Sequence, residues 1–157
     1  LVPKNDISKL EVLLAKPGSW VVSILSAANV LRGERQVLAF PDLRPNRPVV
    51  KAGEVLASTT IEGDLTALEP VSRRLNLLLA AAYARAQRQG TLVEGLQFDA
   101  ASFKQLAREL SERQSGQVAQ LEALAINSAS TADPIAVELR WLAAPAPAQS
   151  GPGPRRP

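Results

Sequence analysis

The strongest structural signal in the sequence is an uninterrupted helical stretch between residues 70 and 90. Pro70 is suited to the first turn of a helix and Gly90 to the position just after the last turn. Because residues 77–84 (LLLAAAYA) are apolar on every side, the sequence predicts a helix at the centre of the core. Apolar residues recur along it at helical spacing: Val71, Leu75, Leu78, Leu79 and Ala82.

Three other segments carry a helical pattern. Residues 6–15 (DISKLEVLLA) place four apolar residues on one face, with Asn5 or Asp6 as the cap. Residues 20–32 (WVVSILSAANVLR) favour a helix by spacing, although the β-rich opening WVVSI keeps a strand open as an alternative. Residues 99–127 begin at Asp99 and are expected to form one long helix with a weak point at Gly116, or a helical hairpin.

The strand signals lie in the middle of the chain and near its end. Residues 36–40 (QVLAF) are a strand candidate, and VVKAGEVLASTTI is expected to form two short strands around Ala52 and Gly53. Residues 135–141 alternate apolar and polar side chains, which favours an amphipathic strand. Such a strand would have to pair with the strands of residues 36–61.

These elements predict a mainly helical α+β fold with a small β element. Residues 1–144 are expected to form a single domain, with the β element built from residues 36–61 and, as a second contribution, 135–141. A chain of 157 residues is long enough to bury a core without disulfide or metal support. Residues 145–157 (PAPAQSGPGPRRP) are of low complexity and predict an extended, Pro-rich tail.

Several classes of chemistry are excluded by composition. The chain has no Cys and no His, so it lacks a thiolate nucleophile, a zinc ribbon and an imidazole base. No glycine precedes a lysine, and no Gly-x-Gly-x-x-Gly occurs. We therefore expect no enzymatic activity, no cofactor and no metal site. The chain also has no Met, so we expect that a processed, trimmed or tagged segment precedes Leu1.

Carboxylates are the remaining candidates for acid–base or metal chemistry. Glu109 and Glu112 lie on one predicted helix face, and Glu62 and Asp64 flank Gly63. A carboxylate enzyme that uses a metal is therefore a second alternative for function. We expect Glu109 and Glu112 to pair instead with the arginines four residues away, Arg113 and Arg108, on the helix surface.

The segment 32–51 contains Arg32, Arg35, Arg44, Arg47 and Lys51. Set against Glu34 and Asp42, these five cations give a local charge of +3 (five minus two). This segment makes a nucleic-acid-binding accessory protein the first alternative. Only Phe40 is close in sequence to stack on a base, whereas single-strand binders use several aromatic residues.

The prediction that follows is a non-enzymatic protein–protein component: a structural subunit, adaptor or assembly factor of a larger complex. The residues expected to contact a protein partner are Arg44, Arg47 and Lys51, together with Arg155 and Arg156 of the tail, because arginine is enriched at protein interfaces. The sequence leaves a homo-oligomer open and assigns no compartment. No stretch is long and apolar enough to predict a membrane span.

Overall fold

The computed structural model describes residues 2–26 and 37–142. Within them the helices are α1 (Lys4–Leu14), α2 (Leu68–Gln89) and α3 (Ala100–Glu112). The strands are β1 (Trp20–Ser26), β2 (Ala39–Pro45), β3 (Pro48–Val50), β4 (Val55–Ile61), β5 (Ala119–Ala125), β6 (Ala129–Ser130) and β7 (Val137–Leu142). The predicted tail 145–157, with Arg155 and Arg156, lies outside the described residues, as do Arg32 and Arg35.

The prediction of a mainly helical domain is wrong. Of the residues described, 35% are helical and 31% lie in strands, so the fold is α+β with comparable shares of both. Two segments that were predicted as helices, residues 20–26 and 119–125, account for the difference, because both form strands.

The core forms between a sheet and two helices. The sheet has three antiparallel strands in the order β4–β5–β7. Helix α2 packs against β4 and β5, whereas α3 packs against α2 and β7. The buried residues of both layers join in one apolar cluster, which also includes Val49 and Val50 of β3. Strand β3 pairs with the short β6 in a separate two-stranded sheet.

Helix α2 confirms the strongest sequence signal. Its buried residues include all five that were predicted, and Gly90 ends the helix in the left-handed conformation with φ 107°. The all-round burial that LLLAAAYA suggested does not occur, because Leu77 is 60% exposed and Ala80 is exposed as well. Only one side of α2 faces the sheet, so the helix is buried on that side and exposed on the other.

Helix α3 begins as predicted and ends earlier than predicted. The Asp99 carboxylate accepts hydrogen bonds from the Ser102 hydroxyl and from the Ser102 backbone N–H at 2.7 Å, which together hold the pKa of Asp99 below its usual value. The helix ends at Glu112, and Gly116 turns the chain with φ 86°. Gly63 lies against this turn, where an added Cβ would sit 2.5 Å from the Gly116 carbonyl.

Strand β5 replaces the second half of the predicted long helix. Its residues Ala119, Leu121 and Ala123 are fully buried and alternate with Gln120 and Glu122, which are not. Alanine and leucine are strong helix formers, so local propensity favoured a helix here. The position between β4 and β7 overrides that propensity, because a central strand satisfies its backbone on both sides.

Strand β1 replaces the helix that was predicted from residue 20. The β-rich opening WVVSI was the correct signal, and β1 pairs with β2 over seven residues in an antiparallel hairpin. Helix α1 forms close to its predicted range but starts at Lys4, with Pro3 before it and no side-chain cap. The rest of the predicted second helix, residues 27–32, lies outside the described residues.

The β element predicted from residues 36–61 is confirmed in content and corrected in its pairing. Strands β2, β3 and β4 all fall in this range, although β2 is Ala39–Pro45 and overlaps the predicted strand 36–40 at two residues only. Gly53 turns the chain between β3 and β4 with φ 79°. Each strand belongs to a different sheet. The strand predicted at 135–141 is confirmed as β7, but β5 lies between it and β4.

Candidate partner-binding surfaces

The three predicted partner-binding residues within the described part of the chain lie on separate pieces of backbone. Arg44 is in β2 and forms an ion pair with Asp42 at 2.8 Å (Nε to Oδ2). Arg47 follows β2; its backbone N–H donates to the Thr131 hydroxyl oxygen and its carbonyl accepts the Thr131 N–H, while Lys51 opens the turn to β4. All three side chains are exposed, and no contact given by the structure joins any two of them.

The N-terminal unit, which we define as residues 2–26 and 37–45, contains no buried residue. It consists of α1 and the β1–β2 hairpin, and α1 packs against β2. A two-stranded hairpin and an 11-residue helix are each marginal in water on their own. The unit therefore has little burial of its own to hold it together.

One face of this hairpin is apolar except at Ser26, which pairs with Ala39 at the end of the register. The register pairs Val22 with Leu43 and Ile24 with Pro41, so these four side chains project to the same side. Trp20 and Ala39 share this face by alternation. Ile24 is 62% exposed and Val22 42% exposed, so the apolar face is open to solvent at these positions. The opposite face is mixed and carries the Arg44–Asp42 ion pair.

A second candidate surface is the groove between α3 and β7. It has a volume of about 730 Å³, and the sheet side contributes Leu139 and Trp141. The helix side contributes Ser102, Gln105, Leu106 and Glu109. A smaller cavity of about 330 Å³ lies next to it and shares Ser102 and Leu139. Leu106, Leu139 and Trp141 are partly buried against the core, so the groove has an apolar floor.

Neither of the predicted carboxylate–arginine pairs on α3 forms. Glu109 accepts a hydrogen bond from the Gln105 amide at 2.9 Å, and its expected partner Arg113 is buried instead. The Arg113 guanidinium donates to the backbone carbonyls of Leu110, Gln117 and Glu62. It therefore links the end of α3 to the ends of β4 and β5 and serves the fold.

The carboxylates that were considered for metal chemistry are dispersed. Glu62 pairs with Arg74 at 3.1 Å across to α2. In the described part of the chain, no three acidic side chains come close enough together to hold a metal ion. No helix among the residues described is long and apolar enough to cross a membrane.

Glu54 is the most connected carboxylate in the described chain. It accepts hydrogen bonds from the Gln89 amide at 3.0 Å, from the Lys51 backbone N–H at 3.1 Å and from Arg85 at 3.3 Å. The Gln89 bond, together with the Lys51 N–H and Arg85, holds the pKa of Glu54 below its usual value. These hydrogen bonds anchor the β3–β4 turn to the end of α2, so the role of Glu54 is to stabilise the fold.

Sequence reasoning concentrated on cations and missed both apolar surfaces. The hairpin face could have been found by treating residues 20–26 as a strand, since Trp20, Val22 and Ile24 then share one side. The groove was harder to find, because its two walls are far apart in sequence. Leu139 and Trp141 were recognised only as the apolar side of a strand, and nothing local indicated that α3 stops short of covering them.

The fold that emerges is an α+β domain in which a hairpin of two helices covers one face of a three-stranded sheet. Residues 50–144 match the family described as a DUF3084-associated C-terminal helical hairpin, and the match covers more than half of the chain. The chain therefore belongs to this family. The helices in the matched range are α2 and α3, which pack against each other.

The sequence is also similar to the uncharacterized protein alr4393 of Nostoc sp. (strain PCC 7120 / SAG 25.82 / UTEX 2576), with 37% identity over 122 residues. The aligned region covers 76% of this chain and 23% of that protein, so the chain spans less than a quarter of the relative's length. No solved structure matches the chain.

Proposed function

We propose that the chain is a non-enzymatic protein–protein component of a larger assembly, and that the N-terminal unit docks on its partner. The observation that carries the proposal is the apolar hairpin face, with Ile24 62% and Val22 42% exposed. Burial of exposed apolar area is the main driving force of most protein association. Because the N-terminal unit buries no residue of its own, contact with a partner would stabilise it more than any other part of the described chain.

The partner surface that fits is apolar at its centre and acidic at its border. Arg44 and Arg47 lie toward the base of the hairpin, where Ser19 O accepts the Asn46 backbone N–H at 2.8 Å. Charged residues around an apolar centre are the usual arrangement of a protein interface. Arg47 is thus proposed as a rim contact, whereas Arg44 projects from the opposite face of the hairpin and remains, with Lys51, Arg155 and Arg156, a further candidate for contact with the partner.

The nucleic-acid alternative is weakened by the local pairing of the cations. Arg44 already pairs with Asp42, and Arg140, Arg85, Arg74 and Arg73 each have a carboxylate within 3.3 Å. Phosphate binding depends on several uncompensated cations on one surface. Among the described cations of the segment 32–51, Arg44 is paired, which leaves Arg47 and Lys51 for such a surface.

Position-specific photo-crosslinking in the native host tests the proposal. A photoreactive amino acid at Ile24 is expected to give one discrete protein adduct, identified by mass spectrometry. The matched control is Ser23, the next residue on the same strand but on the opposite face, and it should give less than about a fifth of that adduct. A second copy of this chain in the adduct would identify a homo-oligomer, which also supports the proposal.

A substitution pair provides the second arm. Val22→Thr with Ile24→Thr keeps β-branched side chains in the strand but removes apolar surface, so the hairpin should persist. We expect the adduct formed by a photoreactive residue at Trp20 to fall at least about fivefold in this variant and to stay unchanged in Ser23→Thr. No adduct from Ile24, or an adduct that nuclease removes, would contradict the proposal.

A further inference from the structure

The outer edge of β7 is only partly paired. On its inner side β7 pairs with β5 from Val137 to Leu142. On its outer side Gln97 provides a short parallel bridge, in which Val137 donates its N–H to Gln97 O at 2.8 Å. The chain then leaves the edge, because Asp99, two residues later, caps the start of α3.

The backbone groups beyond this bridge point outward at alternate positions. The Val137 N–H points away from β5, toward Gln97, whereas the Ala136 carbonyl points toward the β5 side, where it accepts the Ile126 N–H at 2.8 Å. Because main-chain groups alternate along a strand, the N–H and C=O groups of Leu139 and Trp141 also point away from β5. Among the described residues, no hydrogen bond is given to the main chain of either one. Two residues of open strand edge therefore face the groove beside α3.

The groove next to this edge has a distinct chemistry. Its floor is formed by Leu106, Leu139 and Trp141. Glu109 on its helix wall has an amide partner, and in the described chain it has no cation within ion-pair distance. Arg140 lines the groove but pairs with Glu122 at 3.3 Å, so its charge is already neutralised. The uncompensated charge of the groove is therefore negative.

We infer that this groove binds an extended peptide segment that carries a basic residue. The segment adds a fourth strand to the sheet by pairing with Leu139 and Trp141, and its lysine or arginine meets Glu109. Main-chain hydrogen bonds supply affinity in such strand addition, and side chains that face the groove supply specificity. The inference rests on the proposed function as an interaction module but uses a different surface from the N-terminal unit.

The probe is the nine-residue peptide TVTVTKTKT, acetylated at its N-terminus and amidated at its C-terminus. In the comparison peptide both lysines are replaced by glutamate. We expect the full chain to bind the lysine peptide at least about fivefold more tightly at low salt. In Glu109→Gln this preference should fall below about twofold, because the side chain keeps its size and loses its charge.

A second pair of variants tests the strand edge itself. Leu139→Pro removes the outward N–H, and proline is tolerated on edge strands where the N–H faces solvent. Leu139→Ala removes the same side chain and keeps the N–H. We expect Leu139→Pro to bind the lysine peptide at least fivefold more weakly than Leu139→Ala, with circular dichroism confirming that both are folded. Equal binding by the two would overturn the inference.

Hydrogen exchange of the wild-type chain decides the question if Leu139→Pro does not fold. The lysine peptide should slow amide exchange at Leu139 and Trp141 by at least tenfold and leave the β1–β2 amides unchanged. Slow exchange at both positions already in the free chain would mean that another part of the chain occupies the edge, and this result overturns the inference. Perturbation confined to the N-terminal unit overturns it as well but leaves the proposed function intact.

Discussion

At the scale of single residues, Arg113 shows how a charged side chain can belong to the core. Its position four residues after Glu109 predicted a surface ion pair, yet its side chain is buried and its donors reach three backbone carbonyls. The carbonyl of Leu110 is one of those that the end of α3 leaves without a helical partner. Arg113 therefore closes α3 and joins it to the two neighbouring strand ends.

Substitution of Arg113 tests this role. Arg113→Lys keeps the charge but loses the planar set of donors, so carbonyls of Gln117 and Glu62 are left unsatisfied. We expect the free energy of unfolding to fall by about 2–4 kcal/mol in urea denaturation. The control is Arg108→Lys, an exposed position on the same helix, which should change stability by less than about 0.5 kcal/mol. Equal effects at the two positions would refute the role.

Glu54 gives the fold a predictable response to acid. Its pKa is lowered in the folded state by Gln89, the Lys51 N–H and Arg85, so the folded chain binds fewer protons than the unfolded chain in this range. The resulting stabilisation is present above the unfolded pKa, near 4.5, and is lost as the pH falls through the lower folded pKa.

The measurement compares urea unfolding of wild type and Glu54→Gln between pH 3 and pH 7. Wild type should exceed the variant in stability at pH 6, and the difference should shrink steadily below pH 4.5. Asp99→Asn serves as a comparison, since the pKa of Asp99 is also lowered, by Ser102. A difference for Glu54→Gln that stays constant over this range would show that its hydrogen bonds stabilise the two protonation states equally.

At the scale of elements, the N-terminal unit and the sheet should differ in local stability. Residues 2–26 and 37–45 contain no buried side chain, whereas Leu121 in β5 is fully buried. Local opening exposes little apolar area in the hairpin and much in the central strand. Amide hydrogen exchange of the free chain should therefore be at least 100-fold faster in β1 than in β5. Similar protection in both strands would contradict this expectation.

The elements also show which part of the fold was predictable. The pattern of α2 depends on its own sequence alone: five apolar positions at helical spacing and a glycine after the last turn, and it was predicted correctly. Asp99 and Gly53 were identified for the same reason, because a cap and a turn are local. Residues 119–125 were assigned to a helix because alanine and leucine favour one, and only the neighbours β4 and β7 make the segment a strand.

The candidate surfaces likewise divide into features that the local sequence predicts and features that depend on packing. Arg44, Arg47 and Lys51 were found to be exposed, as their charge suggests, but exposure alone does not make a site. The groove depends on the distance between α3 and β7, which are separated by 24 residues of chain from Glu112 to Val137. Whether a helix covers a strand edge is a property of packing between layers, and residue spacing along the sequence does not encode it directly.

At the scale of the whole molecule, charge separates the proposed function from the nucleic-acid alternative. The formal net charge is +3, and six of the cations in the described chain are within 4.0 Å of a carboxylate. If about three phosphates were neutralised, log K would fall with log salt at a slope of about −2.7. Binding to a polyanion should therefore be weak and lost at modest salt.

Chromatography on heparin measures this directly. Wild type should elute by about 0.2 M NaCl, and Arg44→Ala with Arg47→Ala should shift elution no more than Arg73→Ala with Arg88→Ala, which removes the same charge from α2. Equal shifts mean that heparin responds to net charge and not to a site, because a site at Arg44 and Arg47 would make their substitution shift elution more than the α2 pair does. Retention of wild type beyond about 0.4 M NaCl that only the first pair abolishes would favour nucleic-acid binding over a protein partner.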